Sequence, residues 1–483
     1  MGTHPDGGPA TKLASTIARD IEAEIIRRGW PIGESLGSER ALQEHFSVSR
    51  SVLREAVRLV EHHRVARMRR GPNGGLLVCE PDAGPATRAV VIYLEHLGIT
   101  LGDLLNARLV LEPLAASLAA ERIDEAGIDR LRAVLREQEQ WRPGMPLPRD
   151  EFHIALAEQS KNPVLQLFID VLMRLTTRYA LQSQTGSASE AVEALDHMHL
   201  HHADIVAAVT AGDSARAKTL SERHVEAVTG WLQQHHAGRG GRSRRSRRPL
   251  DVEAPRAKLA EMLAATIVDE IGAGGWQLGA VFGTETALLE RYRVSRAVLR
   301  EAVRLLEHHS VAQMRRGPGG GLVVTEPHAQ ASIDTIALYL QYRQPTREDL
   351  RCVRDAIEID NVAKVVKRRA ESEVARFLET HRPGRDEVPT AADVRKATAE
   401  EFRFHVGLAQ LAGNALLDLF LRIIVELFRR HWSSTGQALP SWDDVVAVEH
   451  AHLRIVEAIA AGDDSLARYR VRRHLDAAAS WWL

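Results

Sequence analysis

The chain has 483 residues, 45% of them hydrophobic and 5% aromatic, with 63 Lys and Arg against 64 Asp and Glu. That length allows roughly three or four domains with real cores, and the low aromatic content beside abundant Ala and Leu favours helices. The formal charge of −1 excludes a uniformly basic surface, so any binding of nucleic acid must rest on local patches.

The opening decapeptide has no apolar signal core, and no stretch approaches about 18 uncharged apolar residues. The two cysteines, Cys79 and Cys352, do not form a disulfide framework. A reducing, cytoplasmic setting without membrane contact is the expectation.

In chain order, the spacing of Leu13, Ile17, Ile21 and Ile25 predicts a helix from Thr11 to Arg28. A turn at Gly29–Gly33 follows, then a short helix capped by Ser38 and a second capped by Ser49 that runs to about His62. Val65–Arg70 and Leu76–Glu80 flank a Gly-rich turn and predict a β-hairpin. Helix, helix, turn, helix, hairpin is the order of a winged helix-turn-helix. From about Pro85 to His236 the pattern is helical throughout.

The same order then returns. Residues 48–63 read VSRSVLREAVRLVEHH and residues 294–309 read VSRAVLREAVRLLEHH, differing at two of sixteen positions. The offset of 246 holds from Ala10 to Pro81, so the chain is a duplication. The expected fold class is mainly α: two winged helix-turn-helix domains, each followed by an all-α bundle. The expected boundaries are 10–81 and 256–327 for the winged domains, and 85–236 and 331–483 for the bundles. A basic flexible linker, 237–255, joins the copies.

Arg50, Arg54 and Arg58 recur every four residues and share one helix face; Arg296, Arg300 and Arg304 repeat them. Such a face is either a solvated stripe held by helix partners such as Glu55, or a surface that forks onto guanine edges and phosphates. The preceding turn, the hairpin and the second copy favour DNA.

Ser38-Glu39-Arg40-Ala41-Leu42, Val48-Ser49-Arg50 and Val52-Leu53-Arg54-Glu55-Ala56, followed by a Gly-rich wing, resemble the GntR family of bacterial transcription regulators. The resemblance implies DNA contacts from Arg40, Ser49, Arg50 and Arg54, with the wing tip near Gly74 in the minor groove. In the second copy it implies Ser295, Arg296, Arg300 and a wing near Gly320. Thr286 stands in the place of Arg40, and Gly37 and Gly283 stand where the family usually has proline.

The repeat also sorts the 22 histidines. His153, His202 and His224 match His405, His452 and His474, the last following the one before it by 22 residues in each copy. Three imidazoles and a carboxylate suit zinc, nickel or a similar divalent ion. Glu401, four residues before His405, completes the second set. Arg149 stands in that place in the first set, where Asp150 is the alternative carboxylate. The metal is therefore expected in the second copy ahead of the first. His197 and His201 lack counterparts and are expected on the surface or in a lid.

The helical halves resemble the FadR-like, or FCD, effector domain, on Arg108 and Glu112, Arg354 and Glu358, and Asn162 and Asn414. That resemblance implies a metal held by an acid and three His, and a small effector, a carboxylate or acyl metabolite. Arg108 and Arg354 would then pair the effector carboxylate; the alternative for each is an intrahelical pair with Glu at i, i+4.

The whole implies a non-enzymatic, effector-controlled regulator, expected to be a repressor, associated with the bacterial nucleoid. Its partner would be a pseudo-palindromic double-stranded operator. One chain would form an intramolecular pseudo-dimer able to pair further as a homodimer. The rivals are a metal-dependent hydrolase fused to DNA-binding modules and an architectural DNA-bridging protein without an effector.

Overall fold

The structure, a computed structural model, describes residues 9–69, 71, 74–140, 151–180, 188–235, 256–315, 317, 319–381, 391–435 and 441–482. The sequence-predicted linker and Asp150 lie outside the described residues. In the first copy the elements are α1 (Pro9–Arg27), α2 (Glu39–Phe46), α3 (Arg50–His62), β1 (Ala66–Arg69), β2 (Gly75–Val78), α4 (Ala83–Leu97), α5 (Leu101–Arg122), α6 (Glu125–Gln140), α7 (Glu151–Gln159), α8 (Pro163–Ala180), α9 (Ala188–Thr210) and α10 (Ser214–His235).

The second copy repeats them as α11 (Arg256–Ala273), β3 (Val281–Gly283), α12 (Glu285–Tyr292), α13 (Arg296–His308), β4 (Ala312–Arg315), β5 (Gly321–Val324), α14 (Ala329–Arg343), α15 (Arg347–Lys367), α16 (Ser372–Thr380), α17 (Ala391–Ala412), α18 (Ala415–Thr435), α19 (Trp442–Ala461) and α20 (Asp464–Trp482). The fold is mainly helical, as the sequence implies. No helix among the described residues is long and apolar enough to cross a membrane.

The chain forms two compact units, one of residues 1–96 with 247–344 and one of 97–246 with 345–483. The first unit holds both winged heads. In the first head α1 lays its apolar stripe on α3: Ile17, Ile21 and Ile25 pack with Leu53, Val57 and Val60. Ser38 and Ser49 cap α2 and α3 by accepting from the Ala41 and Val52 amides, as their positions before the apolar runs predict.

The wing contains a third strand that periodicity does not reveal. β3 pairs with β5, and in the first head Ser35 bridges to Leu77. Three residues are too few to carry an alternating pattern. The strand is set instead by close backbone approach: a Cβ on Gly75 (φ +142°) would lie 2.6 Å from the Gly37 oxygen, and one on Gly321 would lie 2.6 Å from that of Gly283.

The helices α4 and α14 belong to this unit and pack crosswise. Leu338 of α14 is part of the first head's core, and Tyr342 meets Trp30 edge-on at 5.2 Å and donates to Glu80 at 3.0 Å. Ile92 of α4 packs on the second head's core, and His96 meets Trp276 edge-on at 5.0 Å. Between the helices, buried Ser332 donates to the Ala89 carbonyl at 3.0 Å.

The second unit consists of two six-helix bundles, α5–α10 and α15–α20. Thr100 and Thr346 start α5 and α15 with matching capping boxes. Asn162 and Asn414 cap α8 and α18 through their oxygens, and their amide nitrogens reach the other copy. Asn162 donates to the Asp349 carbonyl and Asn414 to that of Asp103, each at 2.9 Å. Phe168 and Phe420, both fully buried, stack at 3.9 Å with 5° between their planes.

Candidate functional site

Arg50 and Arg54 project from α3 and are exposed, yet neither is free. Both Nε groups donate to one carboxylate oxygen of Glu39, at 3.0 and 2.7 Å. Glu39 opens α2, so one carboxylate anchors both arginines of α3. Its carboxyl is held below its ordinary range by those two guanidiniums.

The second head repeats the device more loosely, with Arg296 at 3.3 Å and Arg300 at 4.0 Å from Glu285. Arg40 donates to Glu44, Arg58 to Glu55 and Arg304 to Glu301. Gly74 and Gly320 sit in the two wing turns, each bonding through its amide to the Gly71 or Gly317 carbonyl. Ser295 caps α13 as Ser49 caps α3. The tethering glutamates are absent from the sequence-based candidates, although each stands one residue after a helix cap and eleven before the first reading arginine.

Inside each bundle the predicted histidines converge. In the second copy the metal-directed atoms of Glu401, His405, His452 and His474 lie within 4.8 Å of one another. His405 Nε2 is 3.0 Å from His474 Nε2 and 3.2 Å from Glu401 Oε1. His452 Nε2 is 2.7 Å from Glu401 Oε2 and His474 Nε2 is 3.2 Å from Glu401 Oε1. In the first copy His224 Nε2 sits 3.3 Å from the Nε2 atoms of both His202 and His153. Phe152 stacks on His202 at 3.8 Å and Phe404 on His452 at 3.9 Å, fixing one ring of each set.

The atoms behind the imidazoles decide what the front atoms can do. His153 Nδ1 donates to Glu112 at 2.8 Å, His405 Nδ1 donates to Glu358, and His202 Nδ1 donates to Gln138 at 3.0 Å. A proton on Nδ1 leaves Nε2 with a lone pair aimed at the centre. Nε2 atoms facing each other at 3.0–3.3 Å need a proton or a metal cation between them. A tetrahedral shell of nitrogens about 2.0–2.1 Å from an ion separates them by about 3.3–3.4 Å. The residues present therefore fit a divalent ion.

Burial, followed by the neighbouring imidazoles, holds His202 and His224 well below their ordinary pKa, so both are neutral donors at pH 7. Burial also pulls His452 down to about 4, over the opposition of Glu401. Burial works against charging His405, but Glu358 and Glu401 outweigh it and push it up to about 10. Glu401 itself is held well below its ordinary value, against desolvation, by His405 and His452.

Arg108 and Arg354 are buried beside these centres. Arg108 pairs through Nε with Glu112, and Arg354 Nε lies 3.6 Å from Glu358 with its guanidinium over the Phe428 ring. Each arginine thus joins an Arg–Glu–His chain that ends on a metal-directed imidazole. Sequence reasoning had the Arg and Glu positions and missed that the glutamate holds the histidine. It missed Gln138 altogether, for which a lone glutamine on α6 gives no signal. His197 is exposed as expected, whereas His201 is half-buried, its ring 5.8 Å from that of His224.

Comparison with known proteins follows this division. The description "Bacterial regulatory proteins, gntR family" matches residues 13–73, and "FCD domain" matches 103–227 and again 349–477. The Uxu operon regulator of Haemophilus influenzae is 29% identical over 45% of this chain and 79% of its own length. LutR of Bacillus subtilis, an HTH-type transcriptional regulator, is 28% identical over 41% of this chain and 90% of its own. NanR of Cronobacter sakazakii, an HTH-type transcriptional repressor, is 25% identical over 45% and 84%. Among solved structures, Streptococcus agalactiae GntR is 22% identical and covers 45% of this chain and 99% of its own, with a TM-score of 0.33. Each relative corresponds to less than half of this chain.

Proposed function

The chain belongs to the gntR family of bacterial transcription regulators, with two FCD effector domains, and from that premise we propose that it is a repressor in which one polypeptide does the work of a dimer. It is a DNA-binding regulator and not an enzyme. Each head offers its Glu-tethered arginines to one half of a pseudo-palindromic operator in the nucleoid, and the two halves differ because Arg40 faces Thr286. The kinship with a named repressor supports the sign of regulation.

The effector is a small carboxylate, recognised beside a divalent ion in the bundles. What carries this reading is the buried Arg–Glu–His chain in each bundle. Burying an arginine and a carboxylate is costly unless they organise something. The second centre is the tighter, because Glu401 adds a carboxylate to the metal-directed atoms, where the described residues of the first set offer only the imidazoles of His153, His202 and His224. Zinc or nickel suits the donor set, which would supply electrostatic hold on an effector carboxylate. Arg354 and Arg108 hold the glutamates that orient the imidazoles, and stand ready to pair the effector. Binding represses or releases only if it favours one arrangement of the heads.

The test is Arg50→Ala with Arg296→Ala in the full chain. Each lost bidentate contact costs about 1–3 kcal/mol. Sequence-specific retention on a duplex selected from a random pool should vanish. Unchanged affinity would remove the reading helices from the mechanism.

A further inference from the structure

The two heads have exchanged a positive charge from one side of the helix-turn-helix to the other. At the start of the first short helix, Arg40 is exposed and its counterpart in the second head is Thr286. At the other end of the same helix, Ser47 closes α2, and its counterpart closing α12 is Arg293.

Arg293 stands there at some expense. Its backbone is left-handed, φ 52° and ψ 44°, a conformation that favours glycine and that Ser47 shares at φ 52° and ψ 43°. It closes α12, whose dipole favours a positive charge there, and it lies two residues before Ser295, the N-cap of α13. Arg296 and Arg300 have Glu285, and Arg291 has Glu270. Arg293 is exposed, and no hydrogen bond or ion pair joins its guanidinium to another described residue. An exposed cation in a left-handed turn, with no partner among the described residues, is placed to meet an external anion. In a helix-turn-helix the N-terminal end of the reading helix enters the major groove, and the turn before it passes the strand at the groove edge.

We propose that Arg293 binds a backbone phosphate at the edge of the half-site read by the second head, a contact the first head does not make. It replaces the charge that Thr286 omits, on the opposite flank, so the two heads grip half-sites of similar sequence through different phosphates. The contact carries affinity and register, not base preference. This rests on the reading of the second head as a DNA-binding head.

The experiment uses the full chain and a duplex that the chain itself selects from a random-sequence pool. Affinity is measured against salt concentration. Arg293→Ser, which installs the first head's residue, should flatten the slope of log K against log salt by about 0.9, the release of one phosphate's counterion, and leave the ranking of duplex sequences unchanged. The converse change, Ser47→Arg, should steepen the slope by about the same amount, and it stands as an independent arm if Arg293→Ser misfolds. Arg296→Ala is the control on the head. If Arg296→Ala weakens selective binding while neither exchange moves the slope, the Arg293 contact is wrong and the head is right. If Arg296→Ala also changes nothing, the second head does not read DNA, and the inference falls with it.

Discussion

Replacing Glu358 by glutamine keeps the size of the side chain and removes its charge, and it touches no metal-directed atom. The carboxylate and its partner His405 are 5% and 7% exposed, so no water can take over the Nδ1 hydrogen bond. Glutamine offers one acceptor and one donor in place of two acceptors. With its amide nitrogen towards His405, it drives the imidazole proton from Nδ1 to Nε2 and blocks the donor atom. With its oxygen towards His405, it still loses the negative charge that makes the imidazole basic. Loss of such an outer carboxylate weakens metal by about 10–100-fold, or about 1.4–2.7 kcal/mol. The assay is zinc competition against a chromophoric chelator, with helicity and melting checked in parallel. Zinc affinity within twofold of wild type, in a protein that folds normally, would refute the role of Glu358 as the group that orients His405.

Three further outcomes are expected. His452→Ala with His474→Ala should remove about one tightly held divalent ion per chain in elemental analysis, because among the described residues that set alone has a carboxylate, Glu401, beside its imidazoles; a full complement in that variant would shift the assignment to the first copy. Burial pushes the Cys352 thiol up to about 12, so the reactive thiolate appears only as pH rises through that value. Iodoacetamide at pH 8 should therefore label Cys352 only after denaturation, and stoichiometric labelling of the folded chain would contradict its burial. Phe168→Ala should cost about 3–5 kcal/mol in urea unfolding, because both rings of the stacked pair are fully buried; a loss below about 1 kcal/mol would mean the bundles do not depend on that contact.

Features written locally were legible in the sequence. Ser38 and Ser49 announce helix starts because capping needs only a hydroxyl before an apolar run. The matched histidines were legible because the duplication supplies a second reading of the same bundle. Three features were not. The third wing strand is specified by glycines that permit close approach, and a missing side chain leaves no periodic trace. The glutamates behind His153 and His405 sit on a different helix from the rings they hold, at separations of 41 and 47 residues that no spacing rule connects. The crosswise seating of α4 and α14 leaves no mark in the sequence, because apolar residues such as Leu338 do not say which copy's head they will meet.

That crosswise seating changes what the linker does. Leu338 and Tyr342 complete the core of the first head although they belong to the second copy, and Ile92 and His96 return the exchange. In the bundles, Asn162 and Asn414 donate across copies, and Arg122 pairs with Asp349 at 3.0 Å. The copies are thus interleaved within each unit through contacts between described residues alone. The contribution of residues 237–255 is effective concentration while the chain folds or after it dissociates. Cutting the folded protein at a protease site placed between residues 240 and 250 should leave one particle of unchanged size, with unchanged DNA affinity at micromolar concentration. Separation should follow only dilution or denaturation, and refolding of the cut protein should become concentration-dependent where that of the intact chain is not. Two half-sized particles immediately after cutting, at that same concentration, would show that the exchange of α4 and α14 does not hold the copies. The duplication lets each half change alone. A homodimer must change both halves with every substitution, whereas here Tyr342 faces His96, Asn106 faces Cys352 and Arg40 faces Thr286 across the repeat, each side altered alone.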